Sequence, residues 1–193
     1  MSSLASILCG FAVGLLMRGR LAGLRIDRLR FWPLLPLGIA LAATNAYAGG
    51  SLGLVLGLTG AGVLAVVAAS NLKRLHSSVL VLAGICLNLV PITADGGMPV
   101  SPSALATARG WSLARVFTQN VSGYHHLQRP GDRFMALADI LPVGALHTVM
   151  SAGDVALSVG FAAVVAEMML RPVKRGVLSP IVPVHPGRTD LPA

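Results

Sequence analysis

Residues 52–69 read LGLVLGLTGAGVLAVVAA. The stretch has no charged residue, and its only hydroxyl is Thr59. Wound as a helix at about 1.5 Å per residue, it nearly crosses the ~30 Å hydrocarbon core of a bilayer. The same reading carried outward finds four more apolar runs, at 3–17, 31–48, 78–93 and 154–170. Hydrophobic residues make up 54% of the 193 and charged residues 11%. Soluble domains carry roughly 25% charged residues. The mean hydropathy of +0.76 agrees. Composition therefore excludes a soluble enzyme, a disordered chain and a disulfide-stapled secreted domain. The expected fold is an all-α integral membrane bundle of five transmembrane helices. It forms one domain over 1–178, followed by an irregular, proline-containing cytoplasmic tail over 179–193.

Basic residues orient the bundle. The chain has 15 lysines and arginines against 7 acidic residues. Ten of the 15 lie in alternate connections: Arg18, Arg20, Arg25, Arg28 and Arg30, then Lys73 and Arg74, then Arg171, Lys174 and Arg175. Short cytoplasmic loops collect Lys and Arg. The N-terminus is thus expected outside, the C-terminus in the cytoplasm, and segment 94–153 outside. The basic stretches lack the aromatic interleaving of a nucleic-acid surface, so membrane lipids are the expected partners and nucleic acid is not. No positive charge precedes the run at 3–17, and Leu8 rather than a small residue precedes Cys9. That run therefore reads as a retained span.

Small residues recur every four positions along the third run, with Gly53, Gly57 and Ala61 at its centre. Such a stripe lets helix backbones approach closely in lipid, either inside the bundle or in a homo-oligomer. In the outer segment, Ser101-Pro102 reads as an N-cap and first helical residue. An amphipathic helix from Pro102 to about Val121 follows, lying on the membrane or covering the bundle.

Polar residues inside spans are costly and need partners or a use. Asn88 lies in the outer half of the fourth run, where it bridges helices or belongs to a site. Ser151, Asp154 and Ser158 share one helix face at the outer end of the fifth. Asp154 reads as a helix cap or as a functional carboxylate. Glu167 and Arg171 have the spacing of a local ion pair. His125, His126 and His147 share the outer segment with several aspartates, but no paired metal-ligand spacing occurs. Neither a metal nor a cofactor is expected.

Three motifs in the outer segment form a pattern: Asp95-Gly96-Gly97-Met98-Pro99-Val100-Ser101, then Leu137-Ala138-Asp139-Ile140, then Ser151-Ala152-Gly153-Asp154-Val155. The pattern resembles an uncharacterised family of small bacterial multi-spanning membrane proteins, a domain of unknown function, whose members show NGGMPVS and S-x-GD motifs. The chain departs at Asp95, where that family usually has Asn, and at Ala138, usually Gly. The resemblance implies the bacterial plasma membrane and brings no activity. Asp139 and Asp154 are also distantly similar to the aspartate pair of lipoprotein signal peptidases. That similarity implies a carboxylate dyad that shares a proton and activates water.

The expected function is an outer-facing polar pocket that binds a lipid, a small molecule or a protein partner. Its candidate binding residues are Asn88, Asp95, Gly96, Gly97, Met98, Pro99, Ser101, His125, Ser151 and Gly153. The alternative is a membrane hydrolase with Asp139 and Asp154 as catalytic residues.

Overall fold

A computed structural model describes residues 12, 15–18, 21, 24, 26–48, 50–118, 121 and 123–171. Most of the run at 3–17 and all of the tail at 179–193 lie outside the described residues. The described chain is mostly helical. Three of its helices are long and apolar enough to cross a membrane: Gly50–Asn71 (α2), Ser78–Asp95 (α3) and Ala152–Leu170 (α6). A shorter helix, Leu34–Ala48 (α1), precedes them. The sequence began this helix at residue 31. In the structure Phe31 has a positive φ of 58°, and residues 31–33 form a turn, so helix starts only at Leu34. Among the described residues three helices thus meet the length criterion, and most of the first of the five expected runs lies outside them.

The helices pack as two pairs. In the α1–α2 pair, Gly60 is the point of closest approach. A Cβ there would lie 2.5 Å from the Ala42 amide nitrogen and 2.8 Å from the Gly38 carbonyl. In the α3–α6 pair, a Cβ on Gly84 would lie 2.7 Å from the Gly153 carbonyl and from the Leu157 amide. A Cβ on Gly160 would lie 2.7 Å from the Val81 amide. Both pairs therefore depend on small residues for backbone contact. Between the pairs, Ala68 of α2 meets Val81 and Ile85 of α3, with Leu64, Phe161 and Val164 packed around them.

Polar ties close the end that carries the basic residues. Asn71 is 2% exposed and ends α2. Its Nδ2 donates to the carbonyls of Val67 (2.8 Å) and Arg30 (3.0 Å), and its Oδ1 accepts from the Arg30 amide (2.9 Å). The turn before α1 is thereby locked onto α2. Glu167 of α6 pairs with Arg171 at 3.2 Å, at the spacing read from the sequence. It also accepts hydrogen bonds from the amides of His76 (3.2 Å) and Ser77 (3.0 Å) and from Ser77 Oγ (2.7 Å). Ser77, the N-cap of α3, makes no side-chain cap bond of its own. The Glu167 carboxylate supplies that cap from another helix.

The opposite end carries segment 96–151. The sequence suggested one helix from Pro102 to about Val121, but the segment is a folded cap of mixed structure. Helix Pro102–Arg109 (α4) ends at Gly110 (φ 63°), and Ser112 caps a new five-residue helix, Leu113–Phe117 (α5). A left-handed glycine followed by an N-cap serine breaks the helix. Strand Met98–Val100 (β1) pairs in parallel with His125–Leu127 (β2). Leu141–Val143 (β3) pairs antiparallel with Thr148–Met150 (β4), which runs directly into α6. Val100, Leu105, Ala108, Val116 and Val149 form the cap's own core.

The glycine geometry predicts a contrast two residues apart. Gly60→Ala should destabilise the detergent-solubilised protein by about 1–3 kcal/mol, the cost of overpacking a tight contact. At Gly62 nothing lies within 4 Å of the added Cβ. Gly62→Ala should therefore be neutral or stabilise by up to about 1 kcal/mol through helix propensity. Thermal unfolding of both variants checks this, and equal melting temperatures would contradict it.

Candidate functional site

The site lies where β4 ends and α6 begins. Ser151 is fully buried and caps α6. Its Oγ accepts from the Asp154 amide (2.9 Å), and the Asp154 carboxylate accepts from the Ser151 amide (3.2 Å), forming a capping box. Asn88 of α3 completes a ring. Its Oδ1 accepts from Ser151 Oγ (2.7 Å), and its Nδ2 donates to Asp154 Oδ1 (2.8 Å). Gly153 makes room for this, because a Cβ there would collide with Asn88 Oδ1. Asn88, Ser151, Gly153 and Asp154 are thus brought together. The N-cap of α6 is Ser151 and not Asp154, which is the N3 partner of the capping box and is also tied across helices to Asn88.

Asp139 is held next to this ring by its backbone. Its amide donates to the Pro99 carbonyl (3.0 Å), and its carbonyl accepts from the Ser101 amide (2.9 Å). β1 thus lies between β2 and the Asp139 segment. The Asp139 side chain is buried, and its Oδ1 has no hydrogen-bond partner. Oδ2 lies 3.7 Å from His125 Nε2, beyond hydrogen-bond length. The His125 ring stacks on Tyr124, with centroids 4.7 Å apart. Burial, and then the nearby charge of Asp154, raises the Asp139 pKa from 3.8 to about 8. The His125 contact does not offset that. Burial, then Asp154 and Asp139, pushes the Tyr124 phenol up to about 12.

A cavity of about 530 Å³ lies between the α1–α2 and α3–α6 pairs. Ala42, Gly57, Ala61, Leu64, Ile85 and Phe161 are among its apolar walls, and Asn88, Tyr124 and Asp154 supply its polar lining. Gly57 and Ala61, read from the sequence as part of a helix-packing stripe, face this space. The backbone contact itself runs through Gly60.

The remaining candidate residues build the cap. Gly96 (φ 67°) terminates α3, with Gly97 N–H bonded back to the Ile92 carbonyl. A Cβ on Gly97 would collide with the Tyr124 carbonyl. Met98 and Pro99 are buried in β1, and Ser101 caps α4. Both oxygens of Asp95 accept from the Arg133 amide at 3.0 Å, which fastens the turn after residue 130 to the end of α3. His126 pairs with Asp132 at 3.2 Å, and both residues are half-buried. Among the described residues, no three His, Cys, Asp or Glu side chains form a metal-binding group. Tyr124 was not read from the sequence. A lone tyrosine beside two histidines carries no spacing signal, and only the parallel β1–β2 pairing brings it beside α3 and α6.

The Asp139 environment predicts a pH dependence of stability. The folded state holds a proton that the unfolded chain releases near pH 4. Stability should therefore fall as pH rises from about 4 to about 8, by at most about 1.4 kcal/mol per unit, and then level off. Asp139→Asn should flatten that profile. Melting temperatures of both proteins across this pH range check the sign.

A family model described as "Family of unknown function (DUF5317)" matches residues 34–166. That span includes Asn88, the whole cap, Asp139 and Asp154. No curated protein and no solved structure matches the chain. The chain belongs to the DUF5317 family of unknown function.

Proposed function

We propose that this is a multi-pass protein of the bacterial plasma membrane whose cavity between the two helix pairs binds a lipid or small molecule with an apolar body. The ligand's polar group sits against Asn88, Tyr124 and Asp154. The observation that carries this reading is the cavity of about 530 Å³, apolar along its walls and polar only where those three residues line it. Ligand sites of roughly 300–1,000 Å³ commonly combine apolar walls with a few placed polar groups. In the membrane the capped end faces outward and the basic end, with Arg30, Lys73, Arg74 and Arg171, faces the cytoplasm. The small-residue stripe serves as a wall of the site, with Gly57 and Ala61 keeping it wide.

A second reading, a hydrolase with an Asp139/Asp154 dyad, is favoured by one feature. Asp139 is buried with a free oxygen, inside the field of a second carboxylate. Such a pair divides into an acid and a base, and the base can take a proton from an attacking water.

Ala61→Phe should fill the cavity and leave the polar ring intact. It is expected to lower binding of a membrane-partitioning probe at least tenfold, about 1.4 kcal/mol, with little loss of thermal stability. Under the hydrolase reading, Asp139→Asn and Asp154→Asn would each abolish a cellular phenotype while the protein still folds. Under the binding reading, Asp139→Asn retains ligand. Reporter fusions after Arg175 and between Arg109 and Arg133 check the orientation, and an external signal after Arg175 would overturn it.

A further inference from the structure

We propose that the ligand of this cavity is an organic cation carried on an apolar body, and that Asp139 releases a proton when the cation binds. The proposal rests on the binding role argued above and adds the sign of the ligand's charge. Its first support is the composition of the lining. Among the described residues, the cavity is lined by a carboxylate, an amide and a phenol but by no lysine, arginine or histidine. An anionic head group would meet Asp154 with nothing to balance it, in surroundings where like charges repel strongly.

The second support is how the donors are used. Asn88 Nδ2 and the Ser151 amide both donate to Asp154, and Ser151 Oγ donates to Asn88. A carboxylate offers about four lone-pair sites. What the ring leaves over is chiefly acceptor capacity and negative charge, beside the second N–H of Asn88. The Tyr124 ring adds an aromatic surface, which attracts cations through its π face.

The third support is the second carboxyl. Asp139 is 5% exposed, and its Oδ1 has no partner. The groups that face it are His125 on β2, Tyr124 just before β2, and Asp154 on α6. β1 engages it through backbone groups alone. Burial and the field of Asp154 keep Asp139 as the neutral acid. A positive charge beside Asp154 cancels that field and favours loss of the Asp139 proton. The O–H bond of Asp139 breaks, the electron pair stays on the carboxylate, and the proton passes to water. The neighbouring His125 side chain is 32% exposed and gives it a route. The net change is one cation bound and one proton released.

The test uses three probes of related shape and different charge: tetraphenylphosphonium, tetraphenylborate and neutral triphenylphosphine oxide. Each is titrated into the purified full chain in non-ionic detergent. The phosphonium should bind at least about tenfold more tightly than the other two. Its affinity should rise between about pH 6 and about pH 8, by at most about tenfold per unit, as expected when one proton is exchanged. In lightly buffered solution near pH 7, its binding should release up to about one proton, and Asp139→Asn should bind it with no release. Asp154→Asn keeps an oxygen that can accept from the Ser151 amide and should lose the preference for positive charge. The three-probe comparison and the proton count both use wild-type protein, so they stand even if that variant fails to fold. If the borate or the neutral probe binds as tightly as the phosphonium, the charge assignment is overturned and the cavity reading survives. If the phosphonium binds selectively without proton release, the exchange is overturned. If none of the three binds, or Ala61→Phe changes nothing, both readings fall.

Discussion

The contact on which the rest of the site depends is the approach of α3 to α6 at Gly84 and Gly153. Neither position has room for a Cβ. Only at that separation can Asn88 reach both Ser151 Oγ and Asp154 Oδ1. An amide and a carboxylate between apolar helices are expensive when unpaired. Here each satisfies the other, and the serine that caps α6 closes the ring. The glycines therefore do two things at once. They remove the bulk that would hold the helices apart, and they place the ring's polar atoms where their hydrogen bonds can form. A larger residue at either glycine would move the helices and orphan the ring together.

The cap uses a different device to place Asp139. β1 is only three residues long, yet it is buried throughout and engaged on both edges. One edge binds β2 and brings Tyr124 and His125 in. The other binds the backbone of Asp139. The Asp139 segment is thus fixed by main-chain hydrogen bonds, while its side chain keeps Oδ1 without a hydrogen-bond partner and Oδ2 near His125. Burying a carboxyl without partners costs less for the neutral acid than for the ion. Its raised pKa follows first from that burial and then from the nearby charge of Asp154.

Much of this was legible in the sequence because it depends on pattern. The runs at 52–69, 78–93 and 154–170 fall within helices of spanning length, since lipid demands uninterrupted apolar helix. The Glu167–Arg171 pair and the shared face of Ser151 and Asp154 follow from spacing along one helix, although the N-cap is Ser151 where Asp154 was expected. Other features depend on tertiary approach and leave no local trace. Glu167 caps α3 across a helix interface, some ninety residues away in the chain. Asp95-Gly96-Gly97-Met98-Pro99-Val100-Ser101, whose candidate binding residues were read from a motif, forms a helix stop, a buried strand and a helix start in succession. The break at Gly110 was visible as a glycine, but the amphipathic pattern from Pro102 to about Val121 argued for one helix. The backbone stop prevailed over the side-chain pattern.

The cavity follows from where the two helix pairs are fastened. Near the basic end they meet through Ala68, Val81 and Ile85, and the connections there are locked by Asn71 and Glu167. Toward the cap, α2 offers Gly57 and Ala61, while α3 and α6 offer Asn88 and Asp154. Small residues on one wall and a self-satisfied polar ring on the other leave neither side a reason to close the gap. A glycine and an alanine gain little from contact, and the ring has already used most of its donors internally. Filling that wall with larger apolar side chains would bury more surface and favour collapse. The gap between the pairs is therefore a consequence of side-chain choice on both walls, and the same choice puts an unneutralised carboxylate at its polar lining.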